Sequence, residues 1–265
     1  MTKRKDPIWN TIRTEVEEDI RREPLLASFL YAVVLNHKTL EDVLSFQLAS
    51  KLGSSTLTEV SLRDLIDEAF AGDPGIGAAF RADILAVRTR DPACTKYSTP
   101  LLHFKGFQAI QAHRVAHYYW THGREPLALF MQSRISEVFG VDIHPGAKLG
   151  RGILMDHATG VVIGETAVVG DNVSLLHHVT LGGTGKELGD RHPKVGNGVL
   201  ISVGASILGN VRIGDGAKIA AHAVVLSDVP AHSTFAGVPA RMVGRPHDKQ
   251  PALEMDHSIT EPDAE

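Results

Sequence analysis

A six-residue aliphatic repeat runs from Ile143 to Val225, and it constrains the fold of this chain more than any other feature. A fixed short period is the signature of a solenoid, and a hexapeptide period indicates a β-helix. Each unit predicts one short strand and one tight turn, with an aliphatic side chain whose burial stabilises the coil by about 1.5–3 kcal/mol. This ladder comprises Ile163, Val169, Leu175, Leu181, Val195, Ile201, Ile207, Ile213, Ile219 and Val225. A second ladder, four positions later, comprises Ala167, Val173, Val179, Val199, Ala205, Val211, Ala217 and Ala223.

The repeat breaks at two places, and polar residues cluster at both. The register restarts two residues late at Ile163, so residues 155–160 contain a slip. Between Leu181 and Val195 the register slips again, and the intervening segment is predicted to leave the coil as a loop. Loops that project from a rigid scaffold are where binding and catalytic groups concentrate. The two breaks are therefore the predicted functional region.

Composition excludes several classes of protein. The chain has 265 residues, enough for one large or two medium domains. The net charge of −4 and the pI of about 6.4 argue against a nucleic-acid-binding protein. A single cysteine, Cys94, excludes an intramolecular disulfide and fits a reducing compartment. No apolar run reaches transmembrane length, and the N-terminus has no apolar stretch of the signal-peptide type. We predict a soluble cytoplasmic protein that binds neither nucleic acid nor membrane.

The chain divides into three segments by pattern. Residues 1–140 carry apolar side chains at helical spacing, which predicts an all-helical domain. Residues 141–244 contain the repeat and predict the coil. Residues 245–265 are polar with little to bury, so we predict a mobile tail.

Local signals place some of the helices. One long helix is predicted over about residues 100–123, and another over residues 126–139, which Gly140 ends. Ser61 with Asp64 resembles a capping box at the start of an earlier helix.

Several motifs resemble serine O-acetyltransferase, the hexapeptide-repeat enzyme that opens cysteine biosynthesis. The resemblance extends from Ile8 to about Pro246. The helical region makes it specific, because the repeat alone would identify only a superfamily. The matching segments are Asp-His-Ala-Thr-Gly at 156–160, Thr-Leu-Gly-Gly-Thr-Gly-Lys at 180–186, Asp-Arg-His-Pro at 190–193, residues 87–93 with their Arg-Thr-Arg-Asp-Pro, residues 96–102, residues 141–145 and residues 236–241.

The resemblance implies an α+β chain, with an N-terminal all-helical domain followed by a left-handed parallel β-helix. It implies a homotrimer, two of which pair through their helical domains into a hexamer, with active sites between neighbouring subunits. The implied reaction transfers the acetyl group of acetyl-CoA to L-serine. Acetyl-CoA is then a co-substrate, and no metal or permanently bound cofactor is expected.

His157 is the candidate general base, because a serine hydroxyl is a poor nucleophile until an imidazole takes its proton. The serine oxygen would attack the thioester directly, without an acyl-enzyme. Asp142 is the candidate partner that orients the imidazole, as a carboxylate does in a triad. Each also has a structural interpretation: His157 as an ordinary histidine, and Asp142 as a solvated residue at the start of the solenoid.

Serine carries both signs of charge, so its site needs both. The resemblance assigns Asp91 and Asp156 to the ammonium, and Arg191 and His192 to the carboxylate. Arginine suits the carboxylate because its fork can donate two parallel bonds. Asp91, which precedes a proline, is also a plain turn former, and Arg191 could be an exposed loop charge.

Six residues are candidates for binding CoA: Gly183, Thr184, Gly204, Ala205, Lys218 and Arg241. The glycine-rich run would let the backbone approach the thioester and pantetheine arm, whereas the two cations would meet the nucleotide phosphates. The run could also simply turn, and the cations could be solvated. Five residues along this expected channel depart from the usual small residues, Gly or Lys of the family: Ser202, Val203, Ser206, Ala220 and His222.

Two further partners follow from the resemblance. L-Cysteine shares the ammonium and carboxylate of serine, so it is expected to inhibit competitively. A C-terminal Ile in this family often inserts into O-acetylserine sulfhydrylase. This sequence has Glu265 instead, and an acidic side chain in an apolar pocket is costly to desolvate, so that complex is expected to be weak or absent.

Three alternatives remain open from the sequence. The first is a hexapeptide acetyltransferase for another hydroxyl or amino acceptor. The second is a trimeric zinc protein of the carbonic-anhydrase kind, since the solenoid contains several histidines. The third is a non-catalytic scaffold. The histidines available to the zinc alternative are His144, His157, His177, His178 and His192.

Overall fold

The computed structural model describes residues 6–185 and 188–259. Its N-terminal region is helical. The α-helices are α1 (Pro7–Arg22), α2 (Ala27–Leu30), α3 (Leu40–Leu52), α4 (Glu59–Gly72), α5 (Pro74–Arg90), α6 (Ser98–His103), α7 (Lys105–Thr121) and α8 (Glu125–Phe139). A 3₁₀ turn (Pro24–Leu26) and a π-helical turn (Tyr31–Leu35) flank α2. None of these helices, nor any other in the described ranges, is both long and apolar enough to cross a membrane.

Helix ends follow the local chemistry, with two corrections to the sequence predictions. The cap of α4 is Thr58, whose hydroxyl accepts from the Ser61 backbone N–H, so Ser61 itself lies inside the helix. The long helix predicted over residues 100–123 is interrupted: Phe104 has an extended backbone and separates α6 from α7, which packs against the coil. There the backbone of Gly106 lies so close that an added Cβ would be 2.2 Å from the Met155 carbonyl. As predicted, α8 ends at Gly140, which is left-handed.

The coil consists of short parallel strands in three sheets. The strands are β1 (Val141–Ile143), β2 (Lys148–Leu149), β3 (Leu154–Met155), β4 (Val161–Ile163), β5 (Val168–Val169), β6 (Ser174–Leu175), β7 (Thr180–Gly182), β8 (Lys194–Val195), β9 (Leu200–Ile201), β10 (Ser206–Leu208), β11 (Arg212–Ile213), β12 (Lys218–Ile219), β13 (Val224–Val225), β14 (Thr234–Gly237) and β15 (Ala240–Gly244). Sheet A has the order β1-β4-β7-β10-β13, sheet B β11-β8-β5-β2, and sheet C β15-β14-β12-β9-β6-β3. Among the strands of the described residues, only β15 runs antiparallel to its neighbour.

The register confirms the predicted ladder. Within sheet A, Ile163 pairs with Leu181 and Leu181 with Ile207, and sheets B and C show the same stacking. Residues of both ladders are buried inside the coil. The result is a parallel β-solenoid of about five turns, and its hexapeptide repeats fit a left-handed β-helix.

Both predicted breaks are present. Ile143 pairs with Ile163, so the first turn is longer than the next, in which Ile163 pairs with Leu181. The extra residues form the corner that contains His157. The second break lies between β7 and β8, where the chain leaves the coil; residues 186 and 187 of this loop are outside the described ranges.

A buried ion pair joins the helices to the coil. Asp83 of α5 is fully buried, and its carboxylate accepts from Arg114 of α7 at 2.7 Å. The other carboxylate oxygen accepts from the backbone N–H of Ile153, at 2.9 Å. Arg114 also donates to the carbonyls of Leu149 and Gly150. The first coil turn is thus hydrogen-bonded to two helices.

The segment after the coil packs more closely than its sequence suggests. A short helix, α9 (Pro251–Glu254), lies against sheet C, and its first two residues are buried. The Ser174 hydroxyl donates to the carbonyl of Ala252 at 2.7 Å. The prediction of a tail with little to bury is therefore wrong for this part of the segment. Residues 260–265, including Glu265, lie outside the described residues.

Candidate active site

His157 lies in the first break, at the corner between sheets C and A. Its side chain is 70% exposed, and both His157 and Ala158 have positive φ, at 58° and 63°. Positive φ costs a non-glycine residue of order 1–3 kcal/mol, and such strain clusters at functional sites. Later turns carry a single positive-φ histidine at this corner, His178 or His222, whereas the break holds its accessible imidazole on two consecutive positive-φ residues.

The nearest carboxylate to His157 is Asp156. Its Oδ2 lies 3.4 Å from Nε2 of His157, and the ring of His177 lies edge-on at a centroid distance of 5.5 Å. Asp142, the predicted orienting residue, is instead held by Gln132, whose amide donates to it at 2.7 Å. Within the described part of the chain, Asp142 and His157 form no ion pair within 4.0 Å. We call this region the His157 corner: residues 156–160, 176–178, 202–204 and 220–222.

A second polar cluster lies at the corner between sheets A and B. Arg191 donates to Glu165 at 2.7 Å, and this bond holds the pKa of Glu165 below its usual value. The Thr166 hydroxyl accepts from the backbone N–H groups of Arg191 and His192, at 3.0 and 3.1 Å. These bonds fix the loop end on the coil. We call this region the Arg191 corner: residues 144–147, 164–167 and the described residues of 182–193.

The contacts of His192 define its tautomer. The backbone N–H of Thr166 donates to Nδ1 at 3.2 Å, so Nδ1 is the acceptor and the proton of the neutral ring lies on Nε2. Burial, and then the charge of Arg191, lower the pKa of His192, which favours this neutral form. The ring packs over Gly164, where an added Cβ would lie 2.1 Å from Nε2. His192 is therefore a preset Nε2–H donor.

Within a single chain, the His157 corner and the Arg191 corner are separated. The His157 corner precedes β4, β7, β10 and β13 of sheet A, and the Arg191 corner follows β1, β4 and β7, so the two corners lie at opposite ends of the strands. No ion pair or hydrogen bond joins the two corners within residues 6–185 and 188–259.

Asp91 belongs to the helical region and lies at the end of α5. Its backbone is extended, and its carboxylate accepts from the Ala93 N–H at 2.8 Å. That bond is the turn-forming interaction that the sequence also allowed for Asp91, and it leaves the second carboxylate oxygen available to bind another group. α5 packs against β3, the strand that leads to Asp156 and His157.

The glycine-rich residues differ in what they offer to CoA. Gly183 lies beside the Arg191 corner, where an added Cβ would be 3.5 Å from Nε2 of His192. Thr184 follows it and is exposed. Gly204 has φ of 69° and lies under the His222 ring, as a turn of the His157 corner requires. Ala205 is buried inside the coil, and its N–H and carbonyl both bond within the coil.

The two predicted phosphate-binding cations have different surroundings. Lys218 is only 3% exposed, because its ammonium donates to the Ser258 carbonyl and lies 3.5 Å from Asp256. The tail therefore covers Lys218, contrary to the sequence prediction of an accessible cation. Arg241 is exposed and donates to its neighbour's carbonyl.

Sequence reasoning missed the residues that hold the site in place. Thr166 and Glu165 occupy ordinary coil positions, and nothing in the repeat distinguishes them. The tail contact is also new: Ser202, one of the departures from the family, bonds His257 at 2.8 Å. The described residues contain no group of three or more His, Cys, Asp or Glu side chains arranged to hold a metal ion within this chain.

Comparison with known proteins gives a consistent result. Residues 8–112 match the family described as "Serine acetyltransferase, N-terminal", and residues 192–227 match "Bacterial transferase hexapeptide (six repeats)". A serine acetyltransferase of Escherichia coli (strain K12) is 54% identical over 249 residues, covering 94% of this chain and 91% of that protein.

Solved structures agree over nearly the whole chain. A soybean serine acetyltransferase complexed with serine has 59% identity and a TM-score of 0.87, covering 89% of this chain and 97% of that one. One from Brucella abortus strain S19, in complex with coenzyme A, has 51% identity and a TM-score of 0.90, covering 91% and 96%. A serine acetyltransferase in complex with cysteine has 51% identity and a TM-score of 0.93, covering 96% and 98%.

Proposed function

This chain belongs to the serine acetyltransferase family, and we propose that it transfers the acetyl group of acetyl-CoA to the hydroxyl of L-serine. The products are O-acetyl-L-serine and CoA, and the reaction supplies cysteine biosynthesis. The observation that carries the proposal is an exposed imidazole, His157, strained into a break of the repeat beside a carboxylate. The relatives bound to serine and to coenzyme A support the choice of both substrates.

The proposed chemistry is direct acyl transfer. His157 accepts the hydroxyl proton as the serine oxygen forms a bond to the thioester carbonyl carbon. Collapse of the tetrahedral intermediate breaks the carbon–sulfur bond, and the imidazolium returns its proton to the departing CoA thiolate. No acyl-enzyme forms, and the one cysteine, Cys94, is buried in the helical region.

Asp142 remains the proposed partner that orients His157. Gln132 donates to one carboxylate oxygen of Asp142, and in the proposed arrangement the other oxygen accepts from an imidazole N–H of His157. Asp156, already 3.4 Å from Nε2, stabilises the imidazolium by its charge.

Serine would bind with its carboxylate on Arg191 and His192, and its ammonium on Asp91 and Asp156. Arg191 is preset by Glu165, and His192 presents Nε2–H. Because these groups lie on different corners, each complete site needs two subunits. Exposed apolar residues at sheet A, Val162 and Leu226, suit the trimer contact.

Pairing of two trimers into a hexamer would use the helical region. An apolar patch is exposed there, around the π-helical turn and the residues before it. The residues of this patch are Leu25, Leu26, Phe29 and Tyr31.

L-Cysteine is the proposed feedback inhibitor, since it offers the same ammonium and carboxylate, and a relative has been solved in complex with cysteine. The CoA phosphates would meet Arg241 directly. They would reach Lys218 only after Ser258 and Asp256 leave it.

The proposal is tested by release of CoA thiol from acetyl-CoA, with L-serine, L-homoserine or no acceptor, for the wild type and His157→Ala. We expect serine-dependent release that falls at least about 100-fold in the variant. Because the His157 side chain is exposed, the variant should fold, and circular dichroism checks this. Release that prefers homoserine, or that survives in His157→Ala, would contradict the proposal.

A further inference from the structure

Arg90 is a buried cation without an acidic partner. It ends α5 and is 7% exposed, and burial lowers its pKa to about 10. Within the described residues it forms no ion pair. Its guanidinium donates instead to the Ser174 hydroxyl at 3.1 Å, the Val173 carbonyl at 3.4 Å and the Asn172 side chain at 3.3 Å.

Burying a guanidinium among neutral acceptors is costly, and an apolar side chain of similar size would pack at lower cost. The planar fork, however, fixes direction as well as distance. Two of its nitrogens bond three consecutive residues of the coil, so helix α5 can neither slide nor rotate on sheet C. This arrangement favours a geometric role for Arg90 over a packing role.

The strand that Arg90 holds lies next to the one that leads to His157. Ser174 pairs with Leu154 of β3, and Asp156 follows Leu154 by two residues, about 7 Å along an extended chain. Asp91 is the residue immediately after Arg90. Its N–H donates the last helical bond of α5, to Val87, at 3.0 Å. Whatever fixes the guanidinium therefore also fixes where the Asp91 carboxylate emerges.

We propose that Arg90 is a positioning residue, which holds the end of α5 on β6 so that Asp91 reaches the serine ammonium beside Asp156. This inference rests on the proposed function. It assigns to Arg90 a role that operates through Asp91 and involves no contact with substrate.

The test is a double-mutant cycle with Arg90→Lys and Asp91→Asn, measuring KM for L-serine, KM for acetyl-CoA and kcat. We expect Arg90→Lys to raise KM for L-serine about 10- to 100-fold and to leave KM for acetyl-CoA unchanged. In the Asp91→Asn background, the same change should have no further effect on KM for L-serine. Arg88→Lys, two residues earlier on α5, is the matched control.

A second variant tests the same proposal if Arg90→Lys folds poorly. Asn172 has φ of 58°, so Asn172→Gly suits the backbone while removing one acceptor of the guanidinium. We expect a rise of about 3-fold in KM for L-serine. Effects of Arg90→Lys and Asp91→Asn that multiply, or an unchanged KM for L-serine in both single variants, would overturn the proposal. A wild type that releases no CoA thiol with serine would instead refute the proposed function.

Discussion

The His157 corner and the Arg191 corner lie at opposite ends of the strands of sheet A, but their side chains are held very differently. The Arg191 guanidinium donates to Glu165 and to the Gly189 carbonyl, and Nδ1 of His192 contacts both the N–H and the hydroxyl of Thr166, so both side chains are held. The exposed His157 ring has looser neighbours, the Asp156 carboxylate and the edge-on ring of His177. A group that recognises charge gains from being preset, whereas a proton acceptor must stay accessible to its substrate. In the proposed mechanism, the group that binds the serine carboxylate and the group that takes its hydroxyl proton therefore lie on separate corners.

The sharpest way to break this comparison is subunit complementation. His157→Ala and Arg191→Ala chains should each be almost inactive. In trimers refolded from an equal mixture, about one site in four combines an intact His157 with a neighbour's intact Arg191. We therefore expect recovery to about a quarter of wild-type activity. If each site were formed within a single chain, no activity would be recovered, because every chain carries one of the two substitutions. Trimers mixed after folding serve as the control.

Arg191→Lys sharpens the contrast at the recognition half. Lysine keeps the charge but loses the fork that holds Glu165 and would grip a carboxylate, so we expect kcat/KM for L-serine to fall about 10- to 100-fold. The loss should appear mainly in KM for L-serine, in steady-state assays at saturating acetyl-CoA. A fall in kcat without a change in KM for L-serine would contradict this, because it would indicate that Arg191 acts in the chemical step.

The tail contacts the His157 corner through the bond between Ser202 and His257. His257→Ala removes this bond, so we expect KM for acetyl-CoA to fall about 2- to 5-fold, with KM for L-serine unchanged. Glu254→Ala, at an exposed position of α9, is the matched control. A KM for acetyl-CoA that rises would show that the tail contributes to CoA binding.

The smallest expected effect concerns pH and the Arg191 corner. The pKa of His192 is lowered in the fold, so below about pH 6.5 the unfolded chain takes up a proton that the native His192 does not. Stability should therefore fall as pH falls, with His192 contributing up to about 1 kcal/mol between pH 6.5 and 5.5. Urea unfolding at the two pH values would measure this. The pH dependence should be weaker in His192→Gln, and an equal slope would contradict the assignment.

Much of the coil follows from the sequence, because one aliphatic residue in six can occupy only one interior position. The ladders and both breaks were predictable for this reason, and so was the end of α8 at Gly140. Pairing between distant polar residues was not. The bond between Thr166 and His192 forms because two coil turns stack on each other, and the six-residue repeat does not predict it. The interruption at Phe104 and the burial of Lys218 also depend on tertiary packing, which overrides local pattern.

The buried pair of Asp83 and Arg114 bears on how the molecule opens. Its bonds cross from α5 and α7 to the backbone of the first coil turn, so that turn cannot separate while the pair is intact. Amide protons around Ile153 should therefore exchange with solvent in step with those of the buried helices, and more slowly than those of the last coil turns. The change from helix to strand near residue 140 divides the secondary structure, but we expect the helices and the first coil turn to unfold together across it.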